Sequence, residues 1–194
     1  MRNPLDSWAK SDTFYIEETD HPFWYEAKIG QKDKELSEKL QEAGTEHHKH
    51  LRMIMAYADI TASLFWWKQF DCYRAGVEKI SCSTMHTLMR RPLTPDDFEH
   101  DCINDEYLKY VLDSINTSME AWRYETDPDE KKIIWRSVIE ALPQSFLQTR
   151  TVMISYAALR NIVRQRKGHK LKEWAEFIDW CRTLPENWMI FDEE

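Results

Sequence analysis

The sequence predicts an α+β protein: a helix-rich single domain with a small central sheet. Three observations carry this expectation. Apolar residues recur at helical spacing in several separate segments, most of them closed by Gly or Pro or opened by a capping side chain. Among them lies a run rich in β-branched and apolar residues, 146–155 (FLQTRTVMIS), that suits a strand. With four Gly and seven Pro in 194 residues, the chain lacks the turn chemistry of an all-β sandwich, and its strands and helices do not alternate as repeating βαβ units.

The elements follow in order. Residues 1–30 are irregular and aromatic; Phe14-Tyr15-Ile16 suits a short strand, and His21-Pro22-Phe23-Trp24-Tyr25 a covered loop. From Lys32, the residues Leu36, Leu40 and Ala43 share a helix face, and Gly44 is a natural C-terminal cap. Residues 51–65 fit two templates, because Leu51, Ile54, Met55, Ala58 and Ala62 match a helix while the run also alternates as a buried strand. In 63–74 (SLFWWKQFDCYR), Leu64, Trp67, Phe70 and Arg74 fall at helical intervals, with Gly76 as the terminator. Thr94-Pro95-Asp96-Asp97 reads as a helix start with a capping hydroxyl, leading into the stripe Leu108, Leu112, Ile115, Met119 and Trp122. Asp127-Pro128-Asp129-Glu130 repeats that chemistry ahead of Ile134, Val138 and Leu142, and Pro143 closes the helix. A helix at 156–166 (YAALRNIVRQR) is basic on one side and broken by Gly168; Leu171, Trp174, Ile178 and Cys181 line a last helix that stops before Pro185.

Composition narrows the function classes. One domain over 1–194, with 186–194 as a tail, suits a 23.4 kDa chain of ordinary core size. Nine Trp, eight Tyr and eight Phe offer too much apolar surface for intrinsic disorder. The formal charge of −8 disfavours binding to duplex nucleic acid. No apolar run of about 18 residues provides a membrane span, and Met1-Arg2-Asn3-Pro4-Leu5-Asp6 lacks the apolar stretch of a secretory signal. Cys72, Cys82, Cys102 and Cys181 form no CxxC pair, so reduced thiols in a cytoplasmic protein are the simplest account.

Few local patterns carry chemistry. His47-His48 with His50 has a metal-compatible spacing, but no carboxylate accompanies it, and a solvated turn fits better; no metal site is expected. No HExxH, GxSxG, Walker A or GxGxxG pattern occurs. Cys82 or Ser83 beside His86 could act as a nucleophile, although small hydroxyl residues in a short polar segment more simply make a cap or tight turn. Trp66-Trp67 and Trp174 with Trp180 are expected in the core. The cluster Arg160, Arg164, Arg166, Lys167, His169 and Lys170 concentrates positive charge at a helix end, partly complementing the helix dipole. Arg166 is singled out because a planar guanidinium suits bidentate recognition of phosphate.

Two segments resemble the flavin-dependent thymidylate synthases, the ThyX family. Phe65-Trp66-Trp67-Lys68-Gln69-Phe70-Asp71-Cys72-Tyr73-Arg74 is similar to that family's F-x-x-R-Q-W-x-R-H-R helix. Leu142-Pro143, Gln148-Thr149-Arg150 and Ala158-Leu159-Arg160-Asn161-Ile162-Val163-Arg164-Gln165-Arg166, with His169 just beyond, resemble its second signature: L-P, Y-T-x-F-x-W, S-L-M-N-F-L-x-L-R and a nearby H-A-Q. Residues 44–50 fall where the family has G-H-x-T-P-F-E-H. The order and spacing agree from about Leu36 to Trp174, with sparse identities.

The resemblance implies roles. Arg166 matches the arginine that holds and polarises dUMP, which makes it the expected catalytic residue and, with Asn161, Gln69 and Ser83, a substrate-binding one. Arg74, His86 and His169 are expected on the cofactor side, for FAD. It further implies reductive methylation of dUMP with methylenetetrahydrofolate and NADPH as co-substrates, a strand over 53–60, and a homotetramer whose sites are shared between subunits, which would account for the surplus of aromatics. The departures are specific. The motif R-H-R-x-x-S-x-N-E-x-S-x-R-Y loses its histidine to Tyr73 and two arginines to Cys72 and Met85, and Ser83 matches its second serine only with a one-residue shift. Leu51-Arg52-Met53 lies at the T-P-F-E-H histidine, and Ala157 at N-A-R. Each charge-assisted bond left unmade costs roughly 1.5–3 kcal/mol; Arg52, Arg90 and Arg91 are candidates to replace the lost cations. Two alternatives stand beside the synthase: a non-catalytic oligomer of the same fold, and a flavoenzyme acting on another pyrimidine nucleotide.

Overall fold

A computed structural model of the chain describes residues 9–17 and 25–192. These form a helix-rich α+β fold, as the sequence predicts, and divide into two compact units, one of the described residues up to Ala56 together with those from Ile154 onward, the other Tyr57–Met153.

In the first unit, β1 (Phe14–Glu17) pairs antiparallel with β2 (Tyr25–Lys28), Phe14 opposite Lys28. Residues 21–24 of the expected loop lie outside the described residues. Helix α1 (Gln31–Glu42) has no capping side chain at its own N-cap, Gly30. Asp12 does that work from twenty residues away, accepting from Lys32 N at 3.0 Å and Asp33 N at 3.1 Å. The approach is so close that a Cβ on Gly30 would collide with the Asp12 backbone oxygen, which is why glycine stands there. A 3₁₀ segment (Thr45–Met53) then leads into β3 (Met55–Ser63). The strand implied by the resemblance over 53–60 therefore forms, two residues later and longer. Helix α6 (Tyr156–Arg166) is capped by the Ser155 hydroxyl, which accepts from Ala158 N at 3.2 Å, and α7 (Lys172–Thr183) buries Trp174, Phe177, Ile178 and Cys181.

The second unit carries a three-stranded sheet in the order β3-β5-β4, with β5 at Leu147–Ser155 and β4 at Val77–Ser81. Thr61 and Thr149 share a 2.7 Å hydrogen bond and Thr151 donates to Asp59 at 2.5 Å, a pairing that runs β3 and β5 antiparallel. Strand β4 was hidden from the sequence reading by its short, mostly polar composition. Helix α2 (Leu64–Phe70) ends four residues before Arg74 and six before Gly76, so the expected helix over 63–74 is too long. A continued helix would carry Arg74 onto the face of Trp67 and Phe70, 1% and 0% exposed, and bury its charge. Instead the chain turns, Tyr73 N donating to Phe70 O at 3.0 Å, and Arg74 stays exposed.

Thr94 likewise opens only a 3₁₀ turn (Pro95–Asp97), although its capping box forms. Phe98 leaves that turn to bridge Phe146 and is 2% exposed, and the burial of this ring overrides helix propagation. The long helix α4 (Asp105–Tyr124) starts later, capped by Asn104, and buries Leu108, Leu112, Ile115 and Met119. Helix α5 (Pro128–Glu140) is capped by Asp127 as expected and adds Val138 to the same cluster, with Leu88, Leu93 and Phe98. Helix α3 is a single turn (Thr84–Thr87).

Candidate functional site

Helix α6 ends where Gly168 takes φ +75°, and the turn returns the chain through α7. That reversal seats Arg166 on Trp174, its guanidinium carbon 4.4 Å from the centroid of a ring that is 0% exposed. His169 meets the same ring edge-on at 6.2 Å, and its Nδ1 accepts from Leu171 N at 3.1 Å. Arg166 is thus half-buried, with its plane set by a core tryptophan. Asn161, one turn and a residue earlier on α6, is exposed and accepts from Gln165.

Two members of the basic cluster are bound within the chain. Arg160, 8% exposed, donates to Met189 O at 3.0 Å, to Gln41 Oε1, and to Asp192 at 2.6 Å. Arg164 grips the same carboxylate through Nε and Nη2, at 2.7 and 2.6 Å. Hydrogen bonds from Arg164 hold the Asp192 carboxyl below the usual carboxylate range, against the opposing effect of burial. Arg160 and Arg164 therefore hold the segment around Asp192 against α6, whereas Arg166 lies over the Trp174 ring.

The histidine trio is corrected. His47 is exposed, as a solvated turn requires, but His48 donates toward Gln41 O at 3.0 Å and His50 shares a 2.7 Å bond with the Ser37 hydroxyl, both histidines being buried. Burial pushes the His50 pKa down. Among the described residues, no three His, Cys, Asp or Glu side chains gather as a metal site.

In the second unit, Gln69 sits half-buried on the last residue but one of α2, and Arg74 is exposed on the turn that follows. Ser83 caps the single turn α3 through its backbone, accepting from His86 N and Thr87 N at 3.1 Å each, which is the cap reading of this segment; Cys82 and His86 are exposed. Of the proposed replacement cations, Arg91 is bound to Asp97 by two bonds of 2.5 and 2.7 Å, while Arg52 and Arg90 are exposed.

Sequence reasoning missed a charged cluster here. Asp71 accepts from Lys79 Nζ at 2.6 Å and from Arg150 Nη1 at 2.9 and 3.2 Å. Burial pushes its carboxyl up, but the bonds from Lys79 and Arg150 outweigh this and hold it below the usual range. Arg150 Nε donates to Gln148 Oε1 at 2.9 Å, and Gln148 Nε2 reaches Thr84 Oγ1 at 3.1 Å. Trp67 Nε1 donates to Gln148 O at 2.8 Å, and the Arg150 guanidinium lies 4.3 Å from the Trp67 centroid. The signal was present: Gln148 and Arg150, two apart on a strand, must project to one face.

The architecture is that of a ThyX-like fold. No protein-family model matches the chain, and no curated protein does. Among solved structures, the chain is similar to thymidylate synthase X (ThyX) from Helicobacter pylori with FAD and dUMP, at a TM-score of 0.61 and 19% identity, covering 81% of this chain and 80% of that one. A second structure, flavin dependent thymidylate synthase ThyX from Helicobacter pylori complexed with FAD and dUMP, gives the same TM-score and identity over 80% and 79%. At this identity the likeness concerns the fold. No helix among the described residues is long and apolar enough to cross a membrane.

Proposed function

We propose that this chain binds a pyrimidine nucleotide and a flavin on its ThyX-like frame and acts as a divergent flavin-dependent thymidylate synthase. The observation that carries the reading is the seat of Arg166 on Trp174, which orients the guanidinium of the residue that the sequence resemblance matches to the family's dUMP arginine. The similar Helicobacter pylori structures, solved with FAD and dUMP, support it.

The residues fit a flavin with a reduced donor set. Arg74, exposed on the turn after α2, offers a guanidinium suited to a phosphate, and Gln69, half-buried near the end of α2, an amide. Cys72 and Tyr73 replace two basic positions, and the Tyr73 ring packs edge-on to Phe70 at 6.2 Å. When bound, the flavin supplies the hydride, with NADPH and methylenetetrahydrofolate as co-substrates. In this reading Arg166 would hold dUMP by its positive charge and polarise the base, with Asn161 offering amide donors and acceptors; the resemblance assigns Ser83 and Gln69 a role toward the substrate and His86 and His169 a role toward the cofactor. A homotetramer would join such half-sites from different subunits, and exposed thiols at Cys72, Cys82 and Cys102 suit the reducing cytoplasm.

The non-catalytic alternative has one observation in its favour: Asp71 engages both Lys79 and Arg150 beside the eroded motif. The visible spectrum of the purified, ligand-free protein tests the two. A flavin absorbance band, or one acquired on adding FAD, is the expected result; a colourless protein that takes up no FAD contradicts it. Complementation of a thymidine auxotroph then separates dUMP methylation from flavin chemistry on another pyrimidine nucleotide.

A further inference from the structure

We propose that Lys79 and Arg150 form a binding site for a ligand phosphate, with the Asp71 carboxylate as the anion that the ligand displaces. The two cations converge on a single oxygen, Asp71 Oδ1, from 2.6 and 2.9 Å. Each is backed by an aromatic ring: the Arg150 guanidinium stands 4.3 Å from the Trp67 centroid and Lys79 Nζ 5.5 Å from that of Phe70. Gln148 Oε1 pins Arg150 from the side through Nε. The pair is thereby held side by side before any ligand arrives, which removes part of the ordering cost of binding.

Charge and donors favour phosphate over the carboxylate already there. One carboxylate against two cations leaves the cluster with a net positive charge. A phosphate brings up to two negative charges and three acceptor oxygens. Among the described residues nothing is bonded to Arg150 Nη2, and Lys79 Nζ uses one of its three N–H groups, so donors for those oxygens are present. Asp71 is 44% exposed on its side chain, against 16% for Arg150 and 21% for Lys79, so the carboxylate can turn to water while the cations stay in place.

Position gives the cluster its meaning, and here the inference rests on the nucleotide and flavin reading. Asp71 directly precedes Cys72-Tyr73-Arg74, where two basic positions of the family motif are missing. Lys79 on β4 and Arg150 on β5 return two positive charges to that place from neighbouring strands. An ion triad that merely clamps the end of α2 to the sheet makes the opposite prediction for Asp71: its removal should harm binding along with the fold.

Calorimetric titration of the full chain at fixed ionic strength separates these, with inorganic pyrophosphate, dUMP and FAD as separate probes and a thermal melt on every variant. Asp71→Asn is expected to tighten binding about threefold or more, whereas Arg150→Gln and Lys79→Gln weaken it about tenfold, and Arg150→Lys recovers part of the loss. Should Arg150→Gln fail to fold, Lys79→Gln carries the same prediction. A response to dUMP alone assigns the phosphate to the nucleotide, and to FAD alone assigns it to the flavin; either supports the site. Pyrophosphate responding with opposite signs while dUMP and FAD do not bind keeps the site and removes the nucleotide and flavin reading. Binding of dUMP or FAD that ignores all three substitutions, or weakens in Asp71→Asn, keeps that reading and overturns the site.

Discussion

The Arg166 guanidinium lies over the ring of Trp174, eight residues later in the chain, with 4.4 Å between the guanidinium carbon and the ring centroid. The glycine turn at 168 makes this possible, since a positive φ there lets the chain double back within a few residues. A solvent-facing arginine loses considerable freedom when it binds an anion; one already lying against a buried ring loses less.

Replacing that ring should therefore be felt at Arg166. Trp174→Phe keeps an aromatic face and should hold dUMP within a few-fold of the native affinity. Trp174→Leu forfeits a cation–π contact of about 0.5–2 kcal/mol and should bind about threefold to tenfold more weakly. Titration of both variants with dUMP, with melting curves to separate lost packing from lost orientation, checks this.

Asp192 pairs with two arginines, one of them buried. Asp192→Asn should cost about 1–3 kcal/mol in urea unfolding, below the ~3–5 kcal/mol of a fully buried pair because the carboxylate is half-exposed. The native Asp192 carboxyl titrates below its unfolded value, so its contribution is complete above that value, roughly pH 4, and is lost as pH falls through the folded one. The stability gap between native and variant should narrow on acidification; a gap independent of pH would contradict the pairing.

His50 acts in a higher window. Its burial depresses the folded pKa below the ordinary value of 6.5, so the unfolded chain takes up a proton that the folded chain refuses. Stability from this residue is present above about pH 6.5 and declines as pH falls toward the folded pKa. Removing the titrating group in His50→Gln, which can still meet the Ser37 hydroxyl, should flatten the slope of stability between about pH 5 and 6.5.

Burial pushes the Cys181 thiol up to about 12, while Cys72, Cys82 and Cys102 are exposed. A thiol reagent at pH 8 should label three cysteines in the folded chain and the fourth only on unfolding. Rapid labelling of all four would contradict the burial of α7.

Much of the fold was legible because its signals were local. The Asp127 cap, the breaks at Gly168 and Pro185 and the stripe through Leu108, Leu112, Ile115 and Met119 need only neighbours in sequence. Tertiary demands decided the failures: Phe98 and Tyr73 each left a helical pattern to bury a ring, and Asp12 capped a helix twenty residues away. Arg166 stands out in the sequence through its chemistry and its resemblance. Asp192 and Asp71 were not, because nothing in a linear sequence joins residue 192 to 160 or residue 71 to 150. The Asp192 pairing changes the meaning of Arg160 and Arg164, which composition alone groups with Arg166.

The central claim, a nucleotide grip built on Arg166, meets its most direct test in the affinity of the purified chain for dUMP, native against Arg166→Ala, with matched melting curves. The account predicts measurable binding that weakens about tenfold or more in the variant. Affinity that stays within twofold would contradict it.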